Sequence, residues 1–138
     1  MIDKPRSPAQ DAALLCVRIG LAVLFLRAGW AKISSIAGVV ALWERLHLPL
    51  PHLFGPIHAI VEFGGGVLLL LGLLTRVVSF LLAVDMLGAL FLVRIHTPAT
   101  FVSQEWLAFW MSLALLAAGA GAYSLDARSG GAGRTNPR

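Results

Sequence analysis

The stretch AIVEFGGGVLLLLGLL, residues 59–74, decides the fold class. Its residues are almost all apolar, and among them lie three consecutive glycines and one carboxylate, Glu62. A helix that crosses a membrane needs about 20 mostly apolar residues, so this stretch with its neighbours is long enough. A charge in such a helix is costly and calls for a partner, water or a function. The stretch therefore predicts a membrane-spanning helix that carries a polar site.

The composition of the whole chain supports the same fold class. Of its 138 residues 58% are hydrophobic and 13% are charged, whereas about a quarter of a soluble domain is charged. Too few charges are present to cover the surface of a soluble protein, so lipid is the expected solvent. The net charge of +4 does not predict nucleic-acid binding, because the cations lie at the ends of apolar runs and form no basic stripe.

The apolar runs predict an all-α membrane protein, a single domain over residues 1–138 built as an antiparallel bundle of four transmembrane helices. The predicted spans are residues 12–32, 56–74, 77–96 and 105–123. A very short connection joins the second and third spans, which makes them an antiparallel hairpin. Prolines and glycines punctuate the loop before the second span. The polar, glycine-rich residues 127–138 are predicted to be a disordered cytoplasmic tail.

The positive charges between the spans predict the orientation. Lys and Arg are retained on the cytoplasmic side of a membrane. Six of them fall on one side of the predicted bundle (Lys4, Arg6, Arg76, Arg128, Arg134 and Arg138) and three on the other (Lys32, Arg45 and Arg94). We therefore expect a multi-pass protein of the bacterial cytoplasmic (inner) membrane with both termini in the cytoplasm.

Two charges within the spans are predicted to form an intramembrane ion pair. Arg18 lies about two turns inside the first span, and Asp85 lies at a similar depth in the third. Such a pair would fix the register of two helices or would line a path for a ligand, and both interpretations remain open.

A second polar group is predicted near the outer end of the bundle. Glu62 shares a helix face with His58, and Lys32 at the end of the first span could turn back toward it. Trp30 and Glu105 lie at the same rim, where the tryptophan is either part of an aromatic belt or a surface on which a ring stacks. We predict a ligand or proton site made of Trp30, Lys32, His58, Glu62 and Glu105.

The glycines are predicted to pack helices together. Gly64, Gly65 and Gly66 would let another backbone approach closely, which drives helix association in lipid. Ala114 and Ala118 in the fourth span repeat a small residue every four positions and offer a facing surface.

No metal site is predicted, because the spacing of His47, His52, His58 and His96 matches no metal signature. Cys16 is the single cysteine, which excludes an intrachain disulfide and a CxxC redox pair. We therefore expect no intrinsic cofactor.

Three motifs in this order resemble the DoxX family of small bacterial membrane proteins. They are FLRAGWAK at residues 25–32, EFGGGVLLLLGLLTR at residues 62–76 and GAGAYSLDA at residues 119–127. The resemblance extends over nearly the whole chain, and the glutamate–glycine block and the YSLD motif are its most specific parts. The family pattern falls on Arg18, Gly29, Lys32, Glu62, Gly65, Gly72, Arg76, Glu105, Tyr123, Ser124 and Asp126. Ala28, where a polar residue is expected, and Asp85 depart from it.

The resemblance implies a four-helix membrane subunit that anchors or assists a membrane-associated oxidoreductase complex, with quinone contact near Glu62. It supplies no reaction, so a non-catalytic or co-catalytic role is expected, with lipid and either a redox partner or further copies of the chain as partners. Two alternatives remain open. One is a small transporter or lipid- or small-molecule-binding protein that relays protons through Glu62 and Asp85, and the other is a purely structural assembly factor.

Overall fold

The computed structural model describes residues 6–92 and 104–131, and every regular element within them is an α-helix. The helices are α1 (Pro8–Ile33), α2 (Ile36–Arg45), α3 (Pro51–Leu71), α4 (Thr75–Leu92), α5 (Gln104–Ala118) and α6 (Leu125–Gly131). Helix α3 packs mainly against α1, and α4 packs mainly against α5. Two of the described helices, α1 and α3, are long and apolar enough to cross a membrane. The described residues do not test the prediction of four spans. The predicted end of the third span, at residue 96, lies outside them.

Local sequence signals set the ends of the two long helices. Ser7 and Gln10 form a reciprocal capping box at the start of α1, with Pro8 in the first turn, where its missing N–H costs nothing. Helix α3 ends at Gly72, whose left-handed conformation (φ 67°) reverses the chain toward α4.

The loop predicted between the first two spans is largely helical. Helix α2 occupies residues 36–45, and α3 begins at Pro51, five residues before the predicted start. Gly55 lies in α3 and is buried against Val39 and Val40 of α2. Pro51 and Gly55 were interpreted as loop residues. Pro51 instead begins α3, and Gly55 lets α3 pack against α2.

Glycines bring α1 and α3 into close contact. A Cβ atom on Gly29 would lie 2.5 Å from the backbone nitrogen of Phe63, and one on Gly66 would lie 2.9 Å from that of Leu26. Gly65 faces the side chain of Leu82 on α4 instead. The core continues from this contact through buried apolar side chains of four helices, among them Leu21, Phe25, Leu69, Leu82 and Leu115.

The predicted partner surface of these glycines is wrong. A Cβ atom on Gly64 would meet nothing within 4 Å, and Gly65 and Gly66 pack against α4 and α1 rather than against α5. Ala114 is exposed and Ala118 is half-buried, because the buried face of α5 passes through Ala108, Ser112 and Leu115. Ala108 and Ser112 are also small residues four apart, so the small-residue spacing was present on another face of the same helix.

The predicted Arg18–Asp85 pair is also wrong. The buried guanidinium of Arg18 donates hydrogen bonds to the carbonyl oxygens of Ala120 (2.7 Å) and Tyr123 (2.5 Å), in the segment after α5. Asp85 pairs with His58 at the other end of the bundle. The Arg18 guanidinium lies beside Gly72, just before α4 begins, whereas Asp85 lies ten residues into α4, so the two residues are not at the similar depth that was predicted.

The carboxyl-terminal part of the chain connects several helices. The Asp126 carboxylate accepts hydrogen bonds from the backbone N–H groups of Leu74 and Thr75, both at 2.8 Å, and so caps the start of α4. The Asp126 N–H in turn donates to the Gly72 carbonyl at 2.9 Å. Helix α6 continues to residue 131, so the predicted disorder fails for residues 127–131, and residues 132–138 lie outside the described part.

Candidate functional site

Side chains from three helices converge around Glu62. His58 and Glu62 lie one turn apart on the same face of α3, which places both beside α1 and α4. Lys32 approaches from the last turn of α1, and Asp85 approaches from the middle of α4. These four residues, Lys32, His58, Glu62 and Asp85, form a continuous set of polar contacts, called here the polar cluster.

The ion pair of Lys32 with Glu62 is the centre of the polar cluster. The Lys32 ammonium donates a hydrogen bond to Oε2 of Glu62, whose side chain is only 1% exposed. The side chain of Lys32 is 30% exposed, so this residue is far less enclosed than Glu62. Gly29 lies one turn before Lys32 and lets α1 touch the α3 backbone at Phe63, next to Glu62. The glycine therefore brings the ammonium within reach of the buried carboxylate.

His58 bridges the two carboxylates of the polar cluster. Its Nδ1 lies 2.5 Å from Oδ1 of Asp85, and its Nε2 lies 3.6 Å from Oε1 of Glu62. The first distance is a hydrogen bond, and the second is an ion-pair distance. Within the described chain, the other carboxylate oxygen of Asp85 is buried and has no hydrogen-bond partner. Asp85 thus belongs to the predicted site near Glu62.

A cavity of about 430 Å³ opens beside the polar cluster. Most of its lining is apolar, and its polar side chains come from the cluster, from Ser35 before α2 and from the start of α5. It is lined by Leu24, Ala28, Ala31, Lys32, Ser35, Gly38, Val39, Leu42, Trp43, His58, Glu62, Met86, Ala89, Gln104 and Glu105. A mostly apolar cavity of this size with a few convergent polar groups is typical of a small-molecule site.

The structure brings together four of the five residues predicted for the site. Lys32, His58, Glu62 and Glu105 all line the cavity. Trp30 does not, because its side chain is 61% exposed and its ring packs on Phe63 with the centroids 6.0 Å apart. Trp30 therefore lies outside the lining of this cavity.

Sequence reasoning missed two parts of the site. Trp43 lines the cavity, and its ring lies 6.2 Å from that of His58, but it belongs to α2, which was predicted as loop. The apolar residues of 36–43 carry the signal, because Val39, Leu42 and Trp43 recur at helical spacing. The second omission is Asp85, which was assigned to Arg18 although it contacts His58.

The polar cluster also contains the donor set of a metal site. His58, Glu62 and Asp85 each offer one ligand atom, and these atoms lie within 4.8 Å of one another. In the described structure, however, each nitrogen of the His58 ring faces a different carboxylate, and the Lys32 ammonium already neutralises Glu62. A cation bound there would have to displace these contacts. The spacing of the histidines alone gave no sign of this grouping.

Comparison with known proteins places the chain among membrane proteins. The DoxX family profile matches residues 13–95, which is more than half of the chain. The chain belongs to the DoxX family. "Inner membrane protein YqjF" of Escherichia coli (strain K12) is 34% identical over 121 residues, covering 85% of this chain and 92% of that protein. No solved structure matches the chain.

Two further relatives are less similar in sequence than YqjF and match a smaller part of this chain. "Uncharacterized membrane protein Rv3486" of Mycobacterium tuberculosis (strain ATCC 25618 / H37Rv) is 33% identical over 71% of this chain and 61% of its own length. "Putative oxidoreductase CatD" of Bacillus subtilis (strain 168) is 28% identical over 64% of each chain. The DoxX match and the inner-membrane relatives confirm that this is a membrane protein in contact with the lipid bilayer, of the kind found in the bacterial inner membrane.

Proposed function

We propose that this DoxX protein is a membrane subunit that binds a quinone in the cavity beside the polar cluster and assists a membrane-associated oxidoreductase. The observation that carries the proposal is the cavity itself, about 430 Å³ of mostly apolar space with Lys32 in its lining. The name of the Bacillus subtilis relative CatD supports the oxidoreductase class.

A quinone suits this cavity for chemical reasons. It has a flat apolar ring with two carbonyl oxygens that accept hydrogen bonds. The Lys32 ammonium, one of whose three N–H groups binds Glu62, has donors left for such an oxygen. The ring of Trp43 lies in the wall and offers a surface for offset stacking.

The role proposed for the chain is to hold and orient the quinone. Lys, His and Glu side chains can bind a quinone and exchange protons with it, but they do not deliver electrons. The electrons are therefore assigned to the partner oxidoreductase, whose electron carrier would approach the cavity. The chain would then act as a co-catalytic subunit.

Removal of the ammonium tests the proposal. Purified protein in lipid nanodiscs is titrated with a short-chain quinone, and binding is followed by quenching of tryptophan fluorescence. The double variant Lys32→Met/Glu62→Gln removes both charges of the ion pair, so neither partner is left as an unpaired charge. We expect it to bind about tenfold more weakly or worse, because a hydrogen bond from a charged donor contributes about 1.5 to 3 kcal/mol.

The matched control is Arg45→Met/Glu44→Gln, which removes one charge of each sign from the exposed surface of α2. It should bind like the wild type. Equal affinity of Lys32→Met/Glu62→Gln and the wild type, or no binding by a folded wild type, would contradict the proposal. The second result would favour the structural assembly factor.

A further inference from the structure

A second cavity lies on the outer side of α1. Its volume is about 470 Å³, and it is lined by Gly20, Val23, Leu24, Arg27, Ala28 and Gln104. Gly20, Val23 and Arg27 are exposed, and α1 is long and apolar enough to cross a membrane. This cavity therefore opens toward lipid, and it is called here the lipid-side groove.

The lipid-side groove is continuous with the cavity beside the polar cluster. Leu24, Ala28 and Gln104 line both spaces. Gly20, Leu24, Ala28 and Ala31 follow one another at intervals of three or four residues, so they lie on one face of α1. Ala31 lines the cavity, and Gly20 lies about 16 Å further along the helix axis. One wall thus extends from the cavity to the middle of α1.

The groove follows the seam between α1 and α5. Helix α1 packs mainly against α3 and α4 packs mainly against α5, so the contact between α1 and α5 is less extensive. The two helices meet at Gly20, where a Cβ atom would lie 3.7 Å from Cε of Met111. Arg27 also lines the groove, and a long cationic side chain can cover apolar space with its methylene groups while its head reaches toward the headgroups.

We infer that the ligand of the cavity carries a long hydrocarbon chain, which lies in the lipid-side groove while the ring occupies the cavity. The inference rests on the proposed function for the ring, and it names the substrate class as a membrane-resident, long-chain quinone. A chain attached to a ring in the cavity needs a way out, and the shared residues Leu24, Ala28 and Gln104 mark one that ends in lipid.

The small residues of the groove would then determine which quinones fit. A chain that moves from lipid into the groove gains no hydrophobic free energy, because lipid is equally apolar, so close packing must favour it. Gly20 leaves room for such a chain at the inner end of the groove, and Ala28 leaves room where the groove joins the cavity. A larger side chain at either position would occupy the same space as the chain.

Two quinones with the same ring test the inference in nanodiscs, one with a short chain and one with a long isoprenoid chain. Their concentrations are expressed per lipid, so that partitioning into the bilayer does not count as binding. We expect Gly20→Leu to bind the long-chain quinone about fivefold more weakly than the wild type, or worse, because the leucine fills the groove. It should bind the short-chain quinone like the wild type, which also shows that the variant is folded.

The matched control is Gly64→Leu, which places the same side chain in an apolar groove between α3 and α4. Among the described residues, that groove shares no lining residue with the cavity. Gly64→Leu should bind both quinones like the wild type. Unchanged long-chain binding by Gly20→Leu, or equal weakening by both variants, would overturn the inference and leave the proposed function standing. A wild type that binds neither quinone would overturn both.

Photolabelling of the wild type locates the chain without any substitution, and it decides the question if Gly20→Leu does not fold. A long-chain quinone with a photoreactive group in its chain should crosslink mainly to residues 20–28, and excess unlabelled quinone should abolish these crosslinks. Crosslinks spread evenly over exposed side chains such as Val77 and Phe80 would overturn the inference. A photoreactive phospholipid that labels residues 20–28 and is not displaced by the quinone would also overturn it, because a bilayer lipid would then fill the groove.

Discussion

At the scale of single residues, Asp126 shows how a motif carboxylate can serve the backbone rather than a ligand. Burial raises its pKa, but hydrogen bonds from Thr75 and Leu74 and the positive charge of Arg18 lower it by more, so the pKa of Asp126 lies below its ordinary value. The charged form is therefore the one that stabilises the fold. The aspartate of the YSLD motif therefore serves as the cap of α4.

We predict that Asp126→Asn lowers stability at neutral pH by roughly 0.5 to 2 kcal/mol, the range for a lost helix cap. Because the folded pKa is depressed, the advantage of the wild type is fully present above the unfolded pKa of about 3.9 and is lost as pH falls through the folded pKa. Thermal unfolding in detergent from about pH 7 to about pH 3 measures it. A difference that stays constant with pH, or the same loss in the surface control Glu44→Gln, would refute this account.

Arg18 is a second residue whose role is structural. Its planar guanidinium bonds two carbonyl groups at once, and a lysine offers a single ammonium at a different reach. We expect Arg18→Lys to destabilise the protein by roughly 1 to 3 kcal/mol, because one buried carbonyl loses its donor. Arg27→Lys, at an exposed position of the same helix, is the control and should be neutral. Denaturant unfolding that shows no difference between the two variants would argue against the assignment.

At the scale of helices, the contact between α1 and α3 gives the sharpest prediction. Gly29→Ala would force a methyl group into the backbone of Phe63, whereas Gly64→Ala would meet nothing within 4 Å. We expect Gly29→Ala to cost about 1 to 3 kcal/mol through overpacking and to displace Lys32 from Glu62. Gly64→Ala should be neutral or stabilising by up to about 1 kcal/mol. Thermal stability and quinone binding are measured for both variants. Equal stability and equal binding of Gly29→Ala and Gly64→Ala would contradict the proposed contact between α1 and α3.

The helices were predicted best where the apolar pattern is long. The sequence located the body of α1 and α3, because their apolar runs are longer than any strand and longer than most helices of soluble proteins. It missed α2, since a ten-residue helix beside prolines and glycines looks like a loop when Pro51 and Pro56 are interpreted as breakers. Proline is tolerated in the first turn of a helix, which is where Pro51 lies.

The site was predicted where neighbours on one helix or at one rim define it. His58 and Glu62 follow from helical spacing, and Lys32 follows from its position at the end of the first span. Asp85 was misassigned because its depth relative to Arg18 depends on how far α1 and α4 are offset along the bundle, which no local pattern in the chain reports. Trp43 was lost together with α2. Helical spacing and position at the rim thus predicted His58, Glu62 and Lys32. Asp85 and Trp43 depend on how the helices pack, which the sequence does not show.

At the scale of the whole molecule, the distribution of arginines makes a prediction about topology. Arg6 and Arg76 both donate to carbonyl oxygens at the end of α5, so they lie at the same end of the bundle as Arg18 and Asp126. Retention of positive charge predicts that this end faces the cytoplasm. Fusion of green fluorescent protein after residue 138 should then fluoresce, and fusion of alkaline phosphatase at the same point should be inactive. The opposite pattern would show that this end faces away from the cytoplasm. A phosphatase fusion at residue 47 is the control and should be active.

The cap on α4 has a consequence for the biogenesis of the protein. The carboxylate that binds the first N–H groups of α4 stands 52 residues further along the chain, so the ribosome makes it only after α4 and α5. A nascent chain must therefore form α4 before the acceptor of these N–H groups exists. The segment that carries Asp126 would fix the start of α4 only after α5 has been made, and a chain that stops before Asp126 should be an early substrate for membrane proteases.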